Sequence, residues 1–233
     1  MPTISAGKLQ AGTGVTVADF NIARTANAAS VDTTPSGNSA NIVQYFKSSG
    51  RGGGTIRFKR VFAYFDTSGV TDTVASATIR VTGYSGAGSA DADTLFVVST
   101  AFGTDGSSNL TTAEFNDIDY TKPRTAVING ADYTENGTND YTVNADGLAQ
   151  IRTGNALILA LIEEDADLNN TEGSDASREI PINFGVNFTL SYTLASTGYT
   201  HDVSGLAAAS IAKVNTVATA NIGKINSLDW YGN

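Results

Sequence analysis

The sequence predicts an all-β protein: a jelly-roll-like β-sandwich with one short helix and a C-terminal extension arm. Three observations carry that expectation. Apolar and polar residues alternate in short runs, as strands with one buried face require. Clusters of Gly, Ser, Thr and Asn separate the runs, where the chain must turn. Only one stretch carries both a helix cap and a helix-compatible composition. The chain of 233 residues, with 24 Gly, 9 Tyr and 10 Phe, is long enough to bury a core as one large β domain.

Each element follows in order. Residues 1–50 are rich in Ser, Thr, Ala, Gly and Asn, with strand-like pieces at Gly14–Phe20 and Asn41–Phe46. The glycine run "GRGGGT" (residues 50–55) reads as a turn that opens the clearest strand. There Ile56, Phe58, Phe62 and Tyr64 share one face, and Arg57, Lys59, Val61 and Ala63 the other. Residues 73–84 form a second strand and 93–102 a third. A short helix capped near Asn144 or Asp146 precedes a Gly-Asn turn and a buried strand, Ala156–Ile162. The stretch 182–196 is the closing strand, with Phe184, Val186, Phe188, Leu190 and Tyr192 on one face. No linker interrupts residues 1–196, although 1–40 can be an N-terminal arm or first strands. Beyond 196 the composition shifts to Ala, Ile, Val, Asn and Lys, so 197–233 is read as an assembly or anchoring arm.

Fourteen basic against 23 acidic residues give a net charge of −9 and a pI of about 4.4. That balance opposes non-specific binding to nucleic acid or anionic membrane, which both need a positive face. Cysteine is absent, so disulfides and thiolate metal sites are excluded. The first residues lack a basic start followed by an apolar run, so no secretory signal is expected. No apolar run reaches the about 18 residues that a membrane span requires.

The densest acidic run is Glu163, Glu164, Asp165, Asp167, Asn169, Asn170 and Glu172. Asp165-x-Asp167-x-Asn169 is the spacing that opens a calcium loop, since alternate oxygens can then point into one cavity. Asn170 stands where the loop glycine belongs and Ala176 where the bidentate glutamate belongs, so an EF-hand is rejected and only a looser calcium site stays open. Glu163 and Glu164 do not suit a glycosidase pair, because neighbours at a strand end point to opposite faces. "RGGGT" lacks the Gly-Lys-Ser/Thr ending and the helix of a phosphate loop. Arg51, Arg57, Lys59 and Arg60 cluster, and on an acidic chain they are expected to pair with nearby carboxylates. The single His201 cannot build a zinc site alone. No catalytic, cofactor or metal set emerges.

The arm holds a near-repeat, "IAKVNTV" at 211–217 and "IGKINSL" at 222–228. An eleven-residue period would align Ile211, Val214, Val217, Ile222, Ile225 and Leu228 along a helix, yet Val, Thr, Asn and Gly223 are poor helix formers, so helix and strand stay open. In either form the apolar side must be buried on the chain's own sandwich, on copies of itself or on another protein. The expected assembly interface is Ile211, Lys213, Val214, Asn215, Ile222, Lys224, Ile225, Asn226 and Leu228, with Trp230 and Tyr231 as aromatic anchors.

"RVFAYFDTS" (60–68), followed by "ASATIRVTGY" (75–84), resembles the β-sandwich modules named DNRLRE domains, in which an arginine-led strand ends in Phe-Asp-Thr/Ser-Ser. Residues 141–164 and 187–196 are similar to later pieces of that pattern, with Asn187 and Phe188 where a proline is expected. The resemblance spans roughly residues 40–196 and implies a jelly-roll sandwich of surface and extracellular proteins, without a catalytic residue set. Residues 205–228 resemble Ala/Ile/Lys/Val/Asn strings of tailed-bacteriophage virion proteins, with Thr216 and Ser227 where glycine is common. That likeness implies a non-enzymatic virion protein: a capsid decoration, a head fibre or a tail component. Its partners would be copies of itself, with a trimer compatible, and other virion proteins. The second reading is a host-glycan or adhesion module using Tyr84, Tyr120, Tyr133 or Tyr141.

Overall fold

In the computed structural model, residues 1–34, 41–48, 54–85, 91–103, 106–153, 156–174, 177–195, 213–214 and 217–218 are described. The chain divides into two compact units, Met1–Thr193 and Leu194–Asn233.

The alternation in Thr55–Asp66 produces the longest described strand, β5, and the first unit is built around it. Two antiparallel sheets form an all-β sandwich. One runs β1 (Thr3–Ser5), β12 (Thr189–Leu194), β6 (Val74–Thr82), β9 (Thr138–Thr142). The larger runs β11 (Ser177–Ile182), β4 (Asn41–Ser48), β5, β10 (Ala156–Glu163), β7 (Thr94–Ser99), β8 (Ile118–Pro123). There β2 (Lys8–Gly14) also pairs with β5, and β3 (Ala28–Asp32) with β2.

The edges of β5 are shared out unevenly. At Lys59 it pairs with Gln44 of β4 on one edge and Thr13 of β2 on the other. From Val61 onward β10 replaces β4, with Leu161 opposite Val61. Arg60 therefore sits where two strands running in the same direction part company on one edge.

Both faces of β5 are buried. Val61, Ala63 and Phe65 fill the space between the sheets with Ile79 and Val81 of β6, Tyr141 of β9, and Phe188 and Leu190 beside β12. Ile56, Phe58 and Phe62 face the opposite way, into a second core with Phe20, Ala23, Tyr45, Phe102 and Phe115. The protein thus has a third layer, covering the outer face of the large sheet.

Part of that layer corrects the sequence reading. Gly14–Phe20 is not a strand. The strand ends at Gly14, Val17 makes an isolated bridge to Ile56, and Phe20–Thr25 is a helix, α1. Asp19 starts it, its Oδ1 accepting from the Ile22 N–H at 2.9 Å, which satisfies one of the free amides of the first turn. The expectation of one short helix therefore undercounts. The expected helix is α2, Ala145–Thr153, capped by Asn144, whose Oδ1 accepts from the Gly147 N–H at 2.9 Å. The closing strand is shorter than expected: Gly185 donates to Asn183 Oδ1 in a turn, Val186 is 45% exposed, and pairing begins at Thr189.

Glycine is required at Gly12. A Cβ there would lie 2.3 Å from Phe115 Cδ2, so the strand meets the ring edge only because the side chain is missing.

In the second unit, β13 (Lys213–Val214) and β14 (Val217–Ala218) pair antiparallel, with Val214 opposite Val217. Lys213 and Val214 are thus extended, not helical. Ile211, Asn215, Ile222, Lys224, Ile225, Asn226, Leu228, Trp230 and Tyr231 lie outside the described residues, as does His201.

Candidate functional site

The acidic run after β10 folds back rather than outward. Glu163 ends the strand, and Glu164–Leu168 makes one turn of π-helix. The Glu163 side chain caps that turn, Oε2 accepting from the N–H groups of Ala166 (2.6 Å) and Asp167 (3.3 Å). The wide turn swings Asp167 beneath the large sheet, where it meets Arg60.

That meeting is fully buried, with the side chains of Arg60 and Asp167 0% and 1% exposed. Arg60 donates from Nε and Nη2 to the two oxygens of Asp167, each at 2.7 Å. Nη1 donates to the Phe115 carbonyl at 2.9 Å, and Nη2 reaches the Arg24 carbonyl and the Tyr120 oxygen at 2.8 Å. One guanidinium therefore ties together β5, the π-turn, α1, β8 and the turn at Phe115. The Arg60 guanidinium also lies 4.4 Å from the Phe115 ring centroid, and that of Arg24 4.0 Å from the Tyr120 ring. Burial, and then the Asp167 charge, push the Tyr120 phenol well above its ordinary range.

A second cluster lies beside it. Arg178 of β11 pairs with Asp165 through Nη1, and its Nη2 lies 3.0 Å from Glu163 Oε1. That last approach is an ion pair by distance but misses hydrogen-bond alignment, so neither atom completes a hydrogen bond. Burial pushes the Glu163 carboxyl up to about 7, against the backbone donors and Arg178, which favour its ionised form.

This geometry separates the residues of the calcium reading. Asp165 turns to Arg178 and Asp167 to Arg60, while the Asn169 N–H closes the π-turn on the Glu164 carbonyl. The two carboxylates are committed to different arginines, and no group of three or more His, Cys, Asp or Glu side chains converges among the described residues. Glu163, enclosed and engaged with two amides, does not face Glu164 across a cleft.

The four tyrosines of the glycan reading do not form an exposed platform. Tyr141 is fully buried, its hydroxyl 2.8 Å from Thr94 Oγ1. Tyr133 is 7% exposed and donates to the Pro181 carbonyl. Tyr120 is half-buried and committed to Arg60 and Asp167, while Tyr84 is half-buried with its N–H on the Pro181 carbonyl. Aromatic content alone cannot tell a core tyrosine, whose hydroxyl needs one internal partner, from an exposed one. Sequence reading also missed the Arg60–Asp167 clamp. Its signal was an arginine on the same alternating face as Phe58 and Phe62, a position that demands a buried partner.

Hollows open on the surface among the described residues. One, of about 480 Å³, is lined by Thr100 and residues 116–121. Another, of about 280 Å³, lies on the four-stranded sheet between Met1, Thr78, Arg80, Asp140 and Ser191.

No protein-family model matches the chain, and no curated protein matches it.

Proposed function

We propose that this chain is a non-enzymatic structural protein that works in multiple copies, as a bacteriophage virion component: a capsid decoration, a head fibre or a tail-associated part. The observation that carries the reading is the doubled apolar pattern of 211–217 and 222–228, which falls in the second unit, Leu194–Asn233. A segment of that size cannot bury its own apolar side alone, and on this reading a partner surface completes it. The sandwich supports the same reading through its clamped charges. Arg60, Asp167 and Glu163 are consumed in holding layers together and leave no solvent-facing reactive group among them. Copies of this chain and other particle proteins are the partners on this reading, with Ile222, Ile225 and Leu228 at the joint.

Light scattering on the full chain tests it. The expected result is a defined homo-oligomer that dissociates to monomers in I222E/I225E with an unchanged melting temperature. A full chain that stays monomeric across the concentration range, and that binds no particle protein, rejects the arm as a joint.

A further inference from the structure

The outward face of the four-stranded sheet has an unusual composition. On β6, β9 and β12 the residues alternating with the buried ones from Ser76 to Thr82, from Thr138 to Thr142 and from Thr189 to Thr193 are Ser or Thr, save Arg80 and Asp140. Those two neutralise each other: Arg80 Nε and Nη2 donate to the two oxygens of Asp140, each at 2.7 Å. Hydroxyls also bridge strands here, with Ser76 Oγ 2.6 Å from Thr193 Oγ1. On a chain of net charge −9, these strands present a broad face with no net charge.

We propose that this face binds a neutral polysaccharide, with the hollow around Arg80 and Asp140 as its central subsite. The pair is half-open, 52% and 43% exposed, and its chemistry is unfinished. Side-on pairing uses two of the five guanidinium N–H donors, and each carboxylate oxygen keeps a lone pair. Adjacent sugar hydroxyls, each both donor and acceptor, complement such an alternation of donors and acceptors. Thr78 and Ser191 add hydroxyls at the edge of the same hollow, whose volume of about 280 Å³ suits one or two sugar rings.

Other partner classes fit less well. An anionic polymer would face Asp140 and a net negative protein. A protein partner needs several apolar or aromatic anchors, and the hollow offers only Met1 at its edge. With no aromatic ring among the alternating positions, each site is weak. Multiple copies on one scaffold would convert weak sites into firm attachment. The site is formed within one chain, while its firm attachment rests on the multi-copy reading proposed above.

The test is depletion of the full-length protein from solution by insoluble cellulose, amylose, β-1,3-glucan and mannan, with alginate and heparin resins as charged controls. The expected result is retention on at least one neutral polymer. R80A/D140A and T78V/S191A should each weaken it at least tenfold at unchanged melting temperature, while K122A on the other sheet leaves it unchanged. The proposal is overturned if no neutral polymer retains the protein, if only the charged resins do, or if either double variant stays within twofold of the parent. Oligomeric mass is measured separately, so loss of assembly and loss of binding are distinguishable.

Discussion

Arg60 and Asp167 lie 107 positions apart in sequence and meet as a two-pronged pair with both side chains closed to solvent. The pair neutralises two charges that the second core could not otherwise hold. Its guanidinium also supplies hydrogen bonds to two backbone carbonyls and a tyrosine.

Removing one partner leaves a buried, uncompensated charge. D167A should therefore destabilise the protein by about 3–5 kcal/mol, read from urea unfolding. A loss under 1 kcal/mol would mean that water reaches the site. Replacing both residues with apolar ones should cost more here than is usual for a buried ion pair, because the carbonyls of Phe115 and Arg24 lose their donor.

Glu163 gives stability a specific pH dependence. Its carboxyl titrates near 7 in the fold, against an ordinary 4.5, so between those values the folded state holds a proton that the unfolded state has lost. Its contribution is thus complete below about pH 4.5 and is lost as pH rises through 7, amounting to about 3 kcal/mol at 1.36 kcal/mol per unit. E163Q keeps an acceptor for the two amides and removes the titration. The stability difference between wild type and E163Q should swing toward the variant from pH 4.5 to pH 8. A pH-independent difference would show that Glu163 is solvated or ionised throughout.

Gly12→Ala places a methyl group against the Phe115 ring. Overpacking of this kind costs about 1–3 kcal/mol. The double variant G12A/F115L should recover part of it, a coupling that thermal unfolding of the two single variants and the double would expose.

Asn144→Ala removes the cap of α2 and a bond to the Pro123 carbonyl. The expected loss is about 1 kcal/mol. Asn144→Asp should keep the cap but lose the side-chain donor to Pro123, and fall between the two.

The strands were legible where apolar residues dominate a short run, alternating in Thr55–Asp66 and continuous in Ala156–Glu163. Local pattern suffices there because burial of apolar side chains is the dominant energy. It failed at Gly14–Phe20, whose alternating pattern is overruled by Asp19 offering its side chain to the next turn. It failed again at Val186, where Asn183 and Gly185 prefer a turn to continuing the ladder. The acidic run stands out in the sequence, but its spacing does not reveal that a π-turn sends Asp165 and Asp167 to different arginines. That depends on β11 and β5, contributed from opposite sides of the run in sequence.

The placement of β1 sets a schedule for the chain as it is made. Thr3–Ser5 pairs with Thr189–Ser191, whereas β2, two residues after β1, pairs with Lys59–Tyr64. At roughly 5–20 residues per second of synthesis, β2 can find its partner within about ten seconds. The first strand must wait roughly 10–40 seconds for β12 to leave the ribosome. Until then the four-stranded sheet lacks both strands on one side of β6, and the core under Ile79 and Val81 stays open. The nascent chain therefore passes through a stage in which one sheet is largely assembled and its cover is still being translated, when holding chaperones have most to protect.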